Sequence, residues 1–134
     1  MSKKTINIYK ATDGLVDNPK NTKPRYYASI EQDNDYHAIS KLSTHNSNKP
    51  EHVSKMKKGL RKSISGMNGK TVIDKTLYTE KSNKNLIHTS DLKKTNLVYK
   101  DKEADDMYGF VMSDKKNMNR YLRWINKVKK KKKE

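Results

Sequence analysis

The chain has 134 residues, 31% hydrophobic and 34% charged, and its 31 Lys and Arg against 15 Asp and Glu give a formal net charge of +16. So few apolar residues build one small core rather than two, and the charge makes a polyanion such as nucleic acid the first partner to consider. The absence of cysteine excludes disulfide frameworks, thiolate zinc sites and thiol nucleophiles, and no stretch approaches the ~18 consecutive apolar residues of a membrane span or the apolar run of a signal peptide.

In chain order, residues 5–10 alternate Ile6 and Ile8 with Asn7 and Tyr9 and predict a first strand. A long polar loop follows over 12–23, punctuated by Gly14 and Pro19. The segment from Lys23 to Thr44 predicts a hairpin joined by a polar turn over 31–35. Its outgoing strand places Tyr26, Ala28 and Ile30 on one face and Tyr27 and Ser29 on the other; its return strand sets Tyr36, Ala38, Ser40 and Leu42 against His37, Ile39 and Lys41.

Val53, Met56 and Leu60 fall at helical spacing and predict a short helix over 51–60, overlapping a basic run at 55–62. The β-branched stretch 71–80 predicts a third major strand, with shorter strands at 86–88 and 96–99 and a last one at 108–112. Ser113 or Asp114 then caps an amphipathic helix whose apolar stripe is Met118, Tyr121, Leu122, Ile125 and Val128. The lysines at 129–133 form a like-charge block expected to stay solvated and disordered. Ten basic residues against Asp114 and Glu134 put half of the net charge after residue 113.

These elements predict an α+β fold: a small, strongly bent, antiparallel, barrel-like sheet over 1–113 with a C-terminal α-helix and Lys-rich tail over 114–134. The protein reads as soluble and cytoplasmic.

Lys23, Pro24 and Arg25, then an alternating β run, a polar turn and a return strand ending in Ser43 and Thr44, resemble toxins of the MazF/PemK family, small barrel endoribonucleases. The resemblance implies metal-independent cleavage of single-stranded RNA, a homodimer, and neutralisation by an antitoxin protein or RNA in a toxin–antitoxin pair. It also implies a role for Arg25 at the scissile phosphate, where a guanidinium neutralises developing charge, and for the Thr44 hydroxyl, with Ser43 beside it, as a donor to a non-bridging oxygen.

Independently of that family, the imidazole of His45 suits general acid or base work, for instance if it converges with His88. Glu103, Asp105 and Asp106 form an acidic cluster that no spaced histidine completes into a metal site, and no cofactor motif is present. For RNA binding the basic residues with aromatics among them are Arg25, Tyr26 and Tyr27 on the hairpin and Arg120, Tyr121, Arg123 and Trp124 on the last helix, joined by Lys23 and Ser43 on the hairpin and Lys55, Lys57, Lys58 and Arg61 in the basic run. Tyr26, Tyr121 and Trp124 serve either base stacking or core packing. The alternative to a nuclease is a noncatalytic basic accessory protein of a mobile element, a phage or plasmid, that binds nucleic acid or an acidic partner.

Overall fold

The computed structural model describes residues 4–64 and 71–133. Six antiparallel strands form one sheet: β1 (Thr5–Thr12), β2 (Pro24–Asp33), β3 (Tyr36–Thr44), β4 (Arg61–Ser63), β5 (Thr71–Asp74) and β6 (Lys93–Lys100), in the spatial order β4-β5-β3-β2-β1-β6. Helix α1 (Pro50–Lys57) precedes β4, and α2 (Asp101–Met112) and α3 (Lys115–Lys132) follow β6. The fold is therefore α+β as expected, but the sheet is open: β4 and β6 are its edges and do not pair. Helices, not closure into a barrel, cover its apolar face.

The β2–β3 hairpin carries the alternation read from the sequence. Ala28, Ile30, Ala38 and Leu42 pack into the main core with Ile6, Ile8 and Ile73, while Tyr27 and Ile39 form a second cluster on the opposite face with Ile87. The turn is tighter than the five residues expected, because Asp33 pairs with Tyr36 and leaves only Asn34 and Asp35 between the strands. Asn34 takes φ 54°, a left-handed conformation that Asn tolerates better than most residues. A bulge lets Ser29 face Ile39 and Glu31 face Ala38. Glu31 thereby turns to the helix side, where it accepts a hydrogen bond from the Tyr108 hydroxyl.

The sequence 108–112, expected as a strand, is the last part of α2. Ala104, Met107, Tyr108, Val111 and Met112 are its buried residues and fall at i, i+3, i+4, i+7 and i+8, a helical stripe that begins before the window expected as a strand. The acidic cluster lies in the same helix: Asp101 and Glu103 occupy its first turn, where carboxylates complement the helix dipole. The strand expected over 71–80 ends at Asp74, beyond which Tyr78 bridges to Ile39 and Glu80 to Leu86. The strand expected at 86–88 reduces to isolated bridges from Leu86 and His88, and that at 96–99 extends to the eight residues of β6.

Asp114 caps α3 by accepting from the Asn117 backbone N–H. The buried residues of α3 are Asn117, Trp124 and Val128; of the expected stripe, Val128 is in the core and Met118, Tyr121 and Ile125 pack against it half-buried, while Leu122 is 51% exposed. Trp124 and Val128 belong to the same core as the sheet, which makes α3 part of one packed body with residues before 114. The helix runs on through Lys132, so the lysine block at 129–132 is helical where a disordered tail was expected. Lysines at a helix C-terminus interact favourably with its dipole.

Asn117 ties these pieces together. It is 1% exposed; its Nδ2 donates to the carbonyls of Lys75 (2.7 Å) and Val111 (2.8 Å), and its Oδ1 accepts from the Leu77 N–H (3.0 Å). No described helix is long and apolar enough to cross a membrane.

Candidate nucleic-acid interface

The beginning of β2, the end of β3, β4, β5 and helix α1 enclose a groove of about 710 Å³. Strand pairing fixes what its floor presents. Tyr27 pairs with Lys41, and residues two apart on a strand share a face. Arg25, Lys41 and Ser43 therefore point the same way. Arg61 pairs with Asp74 on the next two strands. On α1, His52 and Lys55 lie three apart and face the groove together, with Lys49 at the helix start.

Lys23, Arg25, Lys41, Lys49, Lys55 and Arg61 bring six positive charges to the wall, against one lining carboxylate, Asp74. Three acids temper them. Asp13 lies behind the wall, 7% exposed, and its Oδ1 accepts from Arg25 Nε (3.2 Å) and Lys41 Nζ (2.7 Å). Lys41 also donates to Asp17. Arg61 Nε donates to Asp74 Oδ1 at 2.7 Å. Among the described residues, Lys23, Lys49 and Lys55 have no acidic partner, and all three are exposed. The groove keeps a net positive field from flexible, solvated lysines around two anchored arginines.

Burial would raise the Asp13 carboxyl, but hydrogen bonds and charge from Lys41 and Arg25 outweigh it and hold Asp13 below its ordinary value. Burial would likewise lower Lys41, and its bonds to Asp13 and Asp17 hold it above the usual ammonium value instead. Both ions stay charged at neutral pH. The loop that supplies Asp13 is pinned by Asp13 N–H to the Lys23 carbonyl and Gly14 N–H to the Asn21 carbonyl, each 2.8 Å. A Cβ on Gly14 would come within 2.7 Å of the Asn21 carbonyl oxygen, so only glycine fits there.

His52 borders the groove, and its Nδ1 accepts from the Asn46 backbone N–H at 3.0 Å. Partial burial, then the charges of Arg61 and Lys49, lower its proton affinity. It is therefore neutral at pH 7 with the proton on Nε2, a donor for a phosphate oxygen rather than a free base.

Of the residues selected from sequence, Lys23, Arg25, Ser43, Thr44, Lys55 and Arg61 border this groove. Strand alternation puts Ser43, rather than Thr44, on the face that carries Arg25; Thr44 pairs with Thr71 at the rim. Neither hydroxyl has a hydrogen-bond partner among the described residues. Tyr27 is 0% exposed and its hydroxyl donates to the Thr12 carbonyl, which removes it as a stacking platform. The groove-lining aromatic is its neighbour Tyr26, with Lys10 Nζ 5.6 Å from the ring centroid. Lys57 and Lys58 flank a separate hollow on the outer side of α1. Arg123 lies on α3, outside the groove lining.

His45 does not line the groove; its ring lies 6.0 Å from that of His52. It cannot converge with His88, which bridges Tyr36 at the far end of β3, about 30 Å away at strand rise. The fourth histidine, His37, joins Ser29 Oγ and Thr89 Oγ1, each at 2.9 Å, but it is 0% exposed and sealed from any substrate. Burial, followed by the charge of His88, lowers it to about 4. Sequence reasoning named Tyr26 for base stacking or core packing, and missed Lys41, Lys49, His52 and the buried Asp13. Lys41 had one signal: a lysine in register with His37 and Ile39 on an inward face needs an acid, and the preceding loop holds two.

Comparison with protein-family models, with characterised proteins and with solved structures finds no match. The geometry of the groove itself carries the functional reading.

Proposed function

We propose that the protein binds single-stranded RNA in the groove between the sheet and α1, without chemistry on the strand. The observation that carries this is the six basic residues on one concave wall. Lys23, Lys49 and Lys55 take backbone phosphates, and Arg25 and Arg61 are held in place by Asp13 and Asp74 to present their remaining donors. Tyr26 offers a ring face for one base, worth roughly 1–3 kcal/mol where stacking is complete. The Ser43 hydroxyl, which lines the groove, serves a ribose 2′-OH. A noncatalytic basic accessory protein of a phage or plasmid fits this surface.

A second reading, an endoribonuclease toxin similar to MazF/PemK and paired with an antitoxin, is favoured by one observation: Arg25, Ser43 and Thr44 border the same groove. A general base is the missing part, because His45 is outside the lining and the His52 Nδ1 is occupied by Asn46. Titrating a labelled single-stranded RNA with wild type and with Lys23→Ala/Lys49→Ala/Lys55→Ala decides where binding occurs. Unchanged affinity in the triple variant would exclude the groove. Incubating RNA with wild type and Arg25→Ala decides between the readings, since only a nuclease gives fragments that disappear in the variant.

A further inference from the structure

A second, smaller hollow of about 150 Å³, sharing no lining residue with the groove, lies between α3 and the segment that leads from Thr79 to Leu86. Arg120, Arg123, Trp124 and Lys127 line it from the helix. They recur at i, i+3, i+4 and i+7, so one helical ridge delivers all four. Trp124 is 1% exposed, and its indole Nε1 is buried with no hydrogen-bond partner. A buried donor left without an acceptor costs about 1–3 kcal/mol, and native structures keep few of them.

The lining is rich in donors and short of acceptors. Two guanidinium groups and an ammonium line it with one carboxylate, Glu80, which already accepts from Lys127. Arg120 uses one nitrogen on Asn117 Oδ1, at 2.9 Å. Arg123 is exposed, and among the described residues it has no acidic partner. What such a hollow lacks is an anion with several oxygen acceptors. Its volume is that of about five liquid waters, room for one tetrahedral oxyanion and not for a nucleotide.

From this geometry we infer that the hollow is a binding site for a single phosphate-sized oxyanion, held by Arg120 and Arg123 beside the Trp124 ring. The same chemistry is presented by free phosphate and by the terminal phosphate of a nucleic-acid strand. The site stands apart from the groove and does not depend on it.

Trp124 is the only tryptophan in the chain, so its emission reports on this hollow alone. Inorganic phosphate titrated into the full-length protein should change Trp124 fluorescence saturably and shift its single indole N–H resonance, whereas sodium chloride at equal ionic strength should not. Arg123→Gln, at an exposed position that leaves the fold intact, should raise the phosphate midpoint by about tenfold or more, the loss of one charge-assisted contact. Identical responses to phosphate and chloride, or an unchanged midpoint in Arg123→Gln, would overturn the assignment. A 5′-phosphorylated oligonucleotide that competes where its unphosphorylated form does not identifies the source as a strand terminus; absence of competition identifies it as the free anion.

Discussion

Arg25 and Lys41 donate to the same oxygen, Oδ1 of Asp13, at 3.2 and 2.7 Å. One carboxylate thus clamps two neighbouring strands, β2 and β3, to the loop that precedes them, and Asn21 Nδ2 completes its shell through Oδ2 at 2.7 Å. The clamp holds the groove's floor rigid while three solvated lysines on its rim remain free to move.

Replacing Asp13 by Asn leaves the Lys41 ammonium buried with only Asp17 opposite. Because a buried ion stripped of its main partner is costly, Asp13→Asn should lose about 3 kcal/mol of stability at pH 7 in chemical denaturation. The Asp13 carboxyl sits below its ordinary value in the folded state. Its contribution is therefore present above the ordinary carboxylate pKa and lost as pH falls through the depressed one, and Asp13→Asn should lack that acid-range component. Equal stability of wild type and variant would show that the clamp contributes nothing.

Three unpaired lysines in the groove set the salt response. With about 0.7 counterions released per phosphate neutralised on a single strand, three contacts give a log–log slope near −2, or roughly a 20-fold loss of RNA affinity between 50 and 200 mM salt. Lys55→Ala should lower the slope by about 0.7. A slope that does not change would place the phosphates elsewhere.

His37 makes folding sensitive to mild acid. Burial lowers it from 6.5 to about 4, so the unfolded chain takes up its proton first. Stability is complete above pH 6.5, declines as pH falls toward 4 and levels off below, with a loss on the order of 3 kcal/mol. His37→Gln should flatten most of this decline in thermal melts across that range. A wild-type melting temperature constant from pH 7 to 4 would contradict the burial of a neutral imidazole.

Asn117→Leu should destabilise by about 3 kcal/mol, because the Leu77 N–H and the Lys75 and Val111 carbonyls lose their buried partner together. Asn119→Leu, exposed on the same helix, should stay within about 0.5 kcal/mol. Comparable effects at both positions would remove the special role of Asn117.

Much of this arrangement was legible where the physics is local. Period-two alternation in 26–42 sorted Ala28, Ile30, Ala38 and Leu42 from Tyr27 and Ile39 before any coordinates, since a strand admits only two faces. The same reasoning failed at Tyr108–Met112 because five apolar residues fit either period, and only the upstream Ala104 and Met107 reveal the helix. Arg25 and the Ser43–Thr44 pair were legible as polar residues at matching ends of a hairpin. Which hydroxyl shares the face of Arg25 was not, because that depends on register.

By itself the sequence determined the hairpin, the capped final helix and the excess of positive charge, all of which follow from short-range patterns and from composition. Only the tertiary structure decided which charges are neutralised. Asp13 meets Lys41 across 28 positions, Asn117 meets Leu77 across 40, and α1 is set over the floor of β2 and β3. Contacts at such separations are fixed by how the sheet is ordered and which face the helices cover, and no periodicity along the chain encodes that.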